Sequence, residues 1–94
     1  MAQLEVDLVA GDRKVWSGAA RMVSAPAADG DIGILPGHAP LLAILGAGTV
    51  RITTLEGATQ HVRVDAGFLS VDADQVTVVV DHAETGEPAP VERR

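Results

Sequence analysis

Hydrophobic side chains recur at every second position through most of this chain. Leu4, Val6 and Leu8 alternate with Glu5 and Asp7; Val50, Ile52 and Thr54 alternate with Arg51 and Thr53; Val62 and Val64 alternate with His61, Arg63 and Asp65. A period of two puts one set of side chains on a buried face and the other in water, as in a half-buried strand. Only residues 68–85 run long enough without Gly or Pro for a helix of several turns. Even there Leu69 and Val71 alternate with Phe68, Ser70 and Asp72, Asp72-Ala-Asp-Gln75 makes a polar turn, and Val76-Thr-Val-Val-Val80 follows. Valine is stiff at χ1 and suits a pleated surface better than a helix. Leu55-Glu-Gly-Ala58 supplies a hairpin turn between two alternating segments.

The pattern predicts strands over 3–9, 13–17, 19–25, 31–35, 41–46, 48–55, 59–65, 67–72 and 75–82. Short strands at regular spacing imply an all-β fold, an antiparallel sandwich or flattened barrel. The sandwich is expected over residues 1–83. Residues 84–94 hold two prolines and no periodic apolar face, and are expected to be a disordered tail.

Length and charge narrow the function. At 94 residues the chain is a single small domain, and its 47% hydrophobic content is incompatible with general disorder. Thirteen acidic residues oppose 7 basic ones, for a net charge of −6, which excludes direct binding to nucleic acid. Cysteine is absent, so disulfides, thiolate metal sites and cysteine nucleophiles are excluded. No apolar run approaches the roughly 20 residues that span a bilayer, and the first residues lack the basic and apolar regions of a signal peptide, so a soluble, cytosolic chain is expected. Trp16 and Phe68 are the only aromatics, and Trp16 is expected to cap the core or an interface.

Catalytic and ligand-binding constellations are missing from the pattern. His38, His61 and His82 have no metal-ligand spacing, and Ser17, Ser24 and Ser70 lack a Gly-x-Ser-x-Gly setting. Gly46-Ala-Gly48 precedes a strand and lacks the Lys of a phosphate loop. Asp72 and Asp74 read as a solvated turn. No catalytic, metal, nucleotide or cofactor site is expected.

The densest unusual segment is Ala25-Pro-Ala-Ala-Asp-Gly-Asp-Ile-Gly-Ile-Leu-Pro-Gly-His-Ala-Pro-Leu-Leu42, with three prolines and three glycines. Asp29-Gly30-Asp31 is a turn that projects two carboxylates, and Pro36-Gly37 is a second turn. The residues support two readings: corners of a small sandwich, or recognition of a partner's guanidinium by the exposed acids.

Asp29-Gly-Asp-Ile-Gly-Ile-Leu-Pro-Gly-His-Ala-Pro-Leu-Leu42 resembles the epsilon subunit family of bacterial F-type ATP synthases. Leu4-Glu-Val-Asp-Leu-Val9, Val15-Trp-Ser-Gly18, Gly48-Thr-Val-Arg-Ile52, Asp65-Ala-Gly-Phe-Leu-Ser-Val71 and Val76-Thr-Val78 fall in the family's order, so that the resemblance covers residues 3–84. It implies a flattened ten-stranded sandwich in a non-catalytic rotor subunit. Such a subunit joins the gamma subunit to the membrane c-ring as a peripheral protein on the cytoplasmic side of the cell membrane. It further implies that Asp29, Gly30 and Asp31 form the c-ring contact, with Asp31 facing an arginine, and that His38 and Leu42 lie toward gamma. Family members continue into a C-terminal pair of helices that can block ATP hydrolysis and in some bind ATP. The prolines after residue 86 would each cost about 3 kcal/mol within a helix. The expectation is therefore a chain without that hairpin, unable to inhibit by helix extension. The alternative to this rotor role is a free-standing sandwich that binds a carbohydrate or a metal.

Overall fold

The computed structural model describes residues 2–85. In chain order the strands are β1 (Leu4–Ala10), β2 (Arg13–Ala27), β3 (Gly30–Ile34), β4 (Leu41–Leu45), β5 (Gly48–Thr54), β6 (Thr59–Val64), β7 (Gly67–Asp72), β8 (Gln75–Val80) and β9 (Ala83–Thr85). Among the described residues there is no helix. The all-β sandwich expected from the alternation is therefore the observed class.

Two differences from the expected strands carry structural meaning. The segments 13–17 and 19–25 are one 15-residue strand, β2. Gly18 is no break in it: a Cβ at this position would come within 3.1 Å of the Trp16 ring, so the missing side chain makes room for the indole. At the other end, β9 pairs with β6 through Val64↔Ala83, Arg63↔Glu84 and Val62↔Thr85. Ordered pairing thus continues past the boundary expected at residue 83, and residues 86–94 of the expected tail lie outside the described residues.

Strand β2 belongs to both layers. Its first half pairs with β1, from Leu4↔Ala20 to Ala10↔Arg13, and β1 continues through β8 and β7 to β4. Its second half lies between β3 and β5, and β5 continues through β6 to β9. A single pair, Ala27↔Leu45, brings the end of β2 against β4 and closes one corner. All pairings are antiparallel except β1 with β8, where Glu5↔Gln75 to Ala10↔Val80 run parallel. These two strands are separated by most of the chain, so no short hairpin forces them to be antiparallel.

Two bulges adjust β2 to this double duty. Leu8 faces Trp16 and Val9 faces Lys14, leaving Val15 extra; Ala20 faces Thr54 and Met22 faces Thr53, leaving Arg21 extra. An extra residue flips the inward set of a period-two strand. Ala20 is accordingly buried before the second bulge, and Val23 and Ala25 after it.

The core is aliphatic. Leu4, Val6, Leu8, Val50, Ile52, Val62, Val64, Leu69 and Val71 are all buried, as their alternation predicts, together with Val76, Val78 and Val80. Among the described residues no polar side chain is buried. Both aromatics stay outside it: Trp16 packs half-buried against the core, and Phe68 is 40% exposed. Gly67 enters β7 with its backbone against β8, where a Cβ would collide with the Val79 carbonyl oxygen and lie 2.7 Å from Val80 Cα.

On the outer face Asp7 joins three strands. Its Oδ1 accepts from Ser17 Oγ at 2.9 Å and pairs with Lys14 Nζ at 3.3 Å; its Oδ2 accepts from Gln75 Nε2 at 3.2 Å. The Ser17 hydrogen bond above all, helped by Lys14, holds the Asp7 carboxyl below the usual carboxylate range.

Gly67→Ala should destabilise the domain by about 3 kcal/mol, since backbone rather than a movable side chain must yield; urea denaturation measures it. A lowered folded-state pKa stabilises above the unfolded value, about 3.9, and that contribution fades as pH falls through the lower folded value. Asp7→Asn should therefore lower stability at pH 6 and flatten its decline as pH falls below about 4, read from urea midpoints across the acid range.

Candidate functional site

The Pro- and Gly-rich segment forms two turns anchored to the sandwich at different places. In the first, β2 and β3 close over Ala28-Asp29, with Ala27 opposite Gly30 and Pro26 opposite Asp31. Gly30 has φ +132°, a conformation side chains other than glycine's rarely adopt. The turn is tied to β4, because Ala28 N donates to Ile44 O at 2.9 Å and Gly46 N donates to Pro26 O at 2.8 Å. Asp29, Gly30 and Asp31 are all exposed, as the sequence led us to expect of a projecting acidic turn. The ion pair found among the described residues, Lys14 with Asp7, involves neither acid, so both carboxylates face water. Asp29 borders a shallow hollow with Leu42 and Ile44, whereas Asp31 extends from β3.

The second turn is Leu35-Pro36-Gly37-His38. His38 N donates to Leu35 O at 3.1 Å, and Gly37 has φ +89°, which with Pro36 before it gives a type II turn. His38 is half-buried, and its Nδ1 lies 2.7 Å from Ala39 O. A carbonyl only accepts, so Nδ1 carries the proton and Nε2 is the nitrogen left for another group.

A residue read above as part of a solvated turn holds this loop in place. Gly37 N donates to Asp74 Oδ1 at 2.7 Å, across 37 residues of sequence. Asp74 is half-buried at φ +66° in the Ala73-Asp74 turn between β7 and β8, and its own carbonyl accepts from Glu5 N at 2.8 Å. The solvated-turn reading is thus corrected for Asp74. Its turn is visible in the sequence, but nothing local links position 74 to position 37.

Leu42 belongs to an uncovered apolar face. It is 68% exposed, and Ile44, two residues along β4, is 63% exposed. Ile44 faces Phe68 on β7, and Phe68 faces Val79 on β8, so the surface runs across three strands. Isolated exposed apolar residues are ordinary, whereas a contiguous set of large ones marks a contact surface. Ile44 and Phe68 were missed in the sequence. The outer face of the other layer is different: Arg51 faces His61, and Arg63 faces Thr49, all on its polar side. The molecule therefore presents an apolar patch on the outside of one layer and a polar face on the other, where Glu84 also faces Arg63, with the acidic turn at the corner that β2 and β4 close.

Comparison with known proteins gives a concordant result. The family model for the beta-sandwich domain of the ATP synthase delta/epsilon chain matches residues 3–86. The chain is 47% identical over 89 residues to the ATP synthase epsilon chain of Micrococcus luteus, covering 95% of this chain and 98% of that one. It is 47% identical over 92 residues to the epsilon chain of Streptomyces griseus, covering 98% of this chain and 74% of that one. A solved chain from the Euglena gracilis mitochondrial ATP synthase OSCP/F1/c-ring assembly superposes with a TM-score of 0.86 at 20% identity. That match covers 90% of this chain and 54% of the solved one, about half its length, and at such low identity it establishes the fold alone.

If the β4 face is a contact surface rather than strained core, Leu42→Glu should leave the melting temperature of the isolated chain within about 2 °C of wild type by circular dichroism. A loss of more than about 1 kcal/mol would assign Leu42 a packing role instead.

Proposed function

The chain belongs to the delta/epsilon chain family of F-type ATP synthases, and we propose that it is the non-catalytic rotor subunit that couples the gamma subunit to the c-ring. The observation that carries this reading is the uncovered apolar face of Leu42, Ile44 and Phe68 beside an exposed acidic turn. A folded domain with an all-aliphatic interior gains nothing by leaving three large apolar side chains in water unless a partner covers them. Gamma is the partner suited to that role: Leu42 with Ile44 and Phe68 gives the apolar contact, and His38 has Nε2 left for a further hydrogen bond.

The acidic turn serves the second contact. Asp31, on a short strand supported by the Pro26 pairing, presents a carboxylate to an arginine of a c-ring loop, with Gly30 giving the turn its shape and Asp29 adding negative charge alongside. One charge-assisted hydrogen bond of this kind contributes about 1.5–3 kcal/mol where water is partly excluded. Net charge of −6 disfavours approach to anionic lipid headgroups, so attachment to the cytoplasmic side of the membrane runs through protein contacts and not the bilayer. The work of such a subunit is mechanical. Torque passes through two surfaces held on one rigid sandwich, and the chain's own residues take part in no bond-making step.

Asp31→Arg should weaken ATP-driven proton pumping in reconstituted F1Fo by about tenfold or more in the affinity of F1 for Fo, with the domain's melting temperature unchanged. Wild-type coupling in that variant would remove Asp31 from the c-ring contact. A chain that fails to copurify with gamma and the c-ring and instead binds a sugar or metal would overturn the rotor reading.

A further inference from the structure

The loop of residues 35–40 is stiff in itself but needs an attachment to the sandwich. Pro36 and Pro40 restrict its backbone, and the His38 ring bonds to the neighbouring Ala39 carbonyl. Among the described residues, the side-chain hydrogen bond that reaches it from elsewhere is the one from Gly37 N to Asp74 Oδ1. We propose that Asp74 is a positioning residue for partner docking, its carboxylate clamping the Gly37 amide so that His38 is already placed when gamma arrives. The proposal rests on the docking reading above.

Three features support a clamp over an incidental contact. The bond is short for an N–H donor, at 2.7 Å, and its acceptor is a carboxylate oxygen, a stronger acceptor than an amide or hydroxyl oxygen. The acceptor is itself held: Asp74 sits in a two-residue hairpin turn at φ +66°, and its carbonyl receives the Glu5 amide at the start of β1. Its carboxylate therefore cannot follow a wandering loop, and the loop must come to it. Aspartate also combines two properties seldom found together, tolerance of left-handed backbone and an anionic acceptor; Gly has the first alone and Glu the second alone. Fixing the loop beforehand removes an ordering cost from association, so the clamp acts on affinity for the partner more than on the stability of the domain.

The test compares Asp74→Gly and Asp74→Asn in the full chain. Glycine suits φ +66° without a carboxylate, so the melting temperature should stay within about 2 °C of wild type. The Gly37 amide should exchange with solvent about tenfold faster by NMR, and the dissociation constant for purified gamma should rise about fivefold to tenfold. Asparagine keeps an acceptor oxygen and tolerates the same backbone, so it should restore most of the Gly37 protection and of the affinity. Unchanged Gly37 protection in Asp74→Gly overturns the proposal, as does a freed Gly37 amide with gamma affinity unaltered. Leu42→Glu in the same binding assay separates the two ideas. If Leu42→Glu binds gamma normally the apolar docking face is wrong, while the Asp74 variants still decide the clamp by their own effect on exchange and affinity.

Discussion

Every layer of this molecule depends on β2 changing sheets without breaking. Its first half is hydrogen-bonded to β1 and its second half to β3 and β5. A uniform strand could not serve both layers, because strict alternation would carry the same parity inward along its whole length. The extra residue at Arg21 changes that parity, which turns Val23 and Ala25 into the core and sends Met22 and Ser24 outward. The register of β3 follows from the second half of β2, and with it the place where Asp29 and Asp31 leave the sandwich. A bulge of this kind weakens the ladder locally and bends the strand, a local cost offset by the aliphatic core that both layers share.

That core is sealed with small means. Valine, leucine, isoleucine and alanine fill it, no polar side chain among the described residues is buried, and neither aromatic lies inside. A domain of this size buries a modest fraction of its surface, so apolar groups left outside are conspicuous. Leu42, Ile44 and Phe68 are such groups, and they sit on the same sheet as the buried Leu45, Leu69 and Val71. The same two strands thus face the core with one set of side chains and solvent with the other. The two turns are each stiffened by glycine or proline and then bonded to a distant element, the first to β4 and the second to Asp74.

Local chemistry decided how much of the site could be read in advance. Glycine at positive φ marks the turns at 28–31 and 35–38 whatever surrounds them, so Asp29 and His38 could be placed on turns, with Asp31 at the edge of the first, from the residues alone. Asp74 could not, because its partner lies 37 residues away and the bond depends on how β7 and β8 bring their turn beside the loop. The merging of 13–17 and 19–25 was illegible for a similar reason: Gly18 reads as a break until Trp16 is seen lying over it. The parallel pairing of β1 with β8 involves strands from opposite ends of the chain, and no alternation within either strand sets their relative direction.

By itself the sequence determined the all-β class, the inward residues of β1, β5, β6 and β7, the chemistry of both turns and the family resemblance, because each is written in spacing over a few residues. Tertiary structure alone decided which side of Leu41-Leu-Ala-Ile-Leu45 faces the core. Both sides of that segment are apolar, so its pattern has no contrast to read. Pairing with β7 sends Leu45 inward and leaves Leu42 and Ile44 beside Phe68 in solvent. A period of two shows a strand's orientation only where one of its faces is polar, and a strand that is apolar on both faces hides its orientation for that reason.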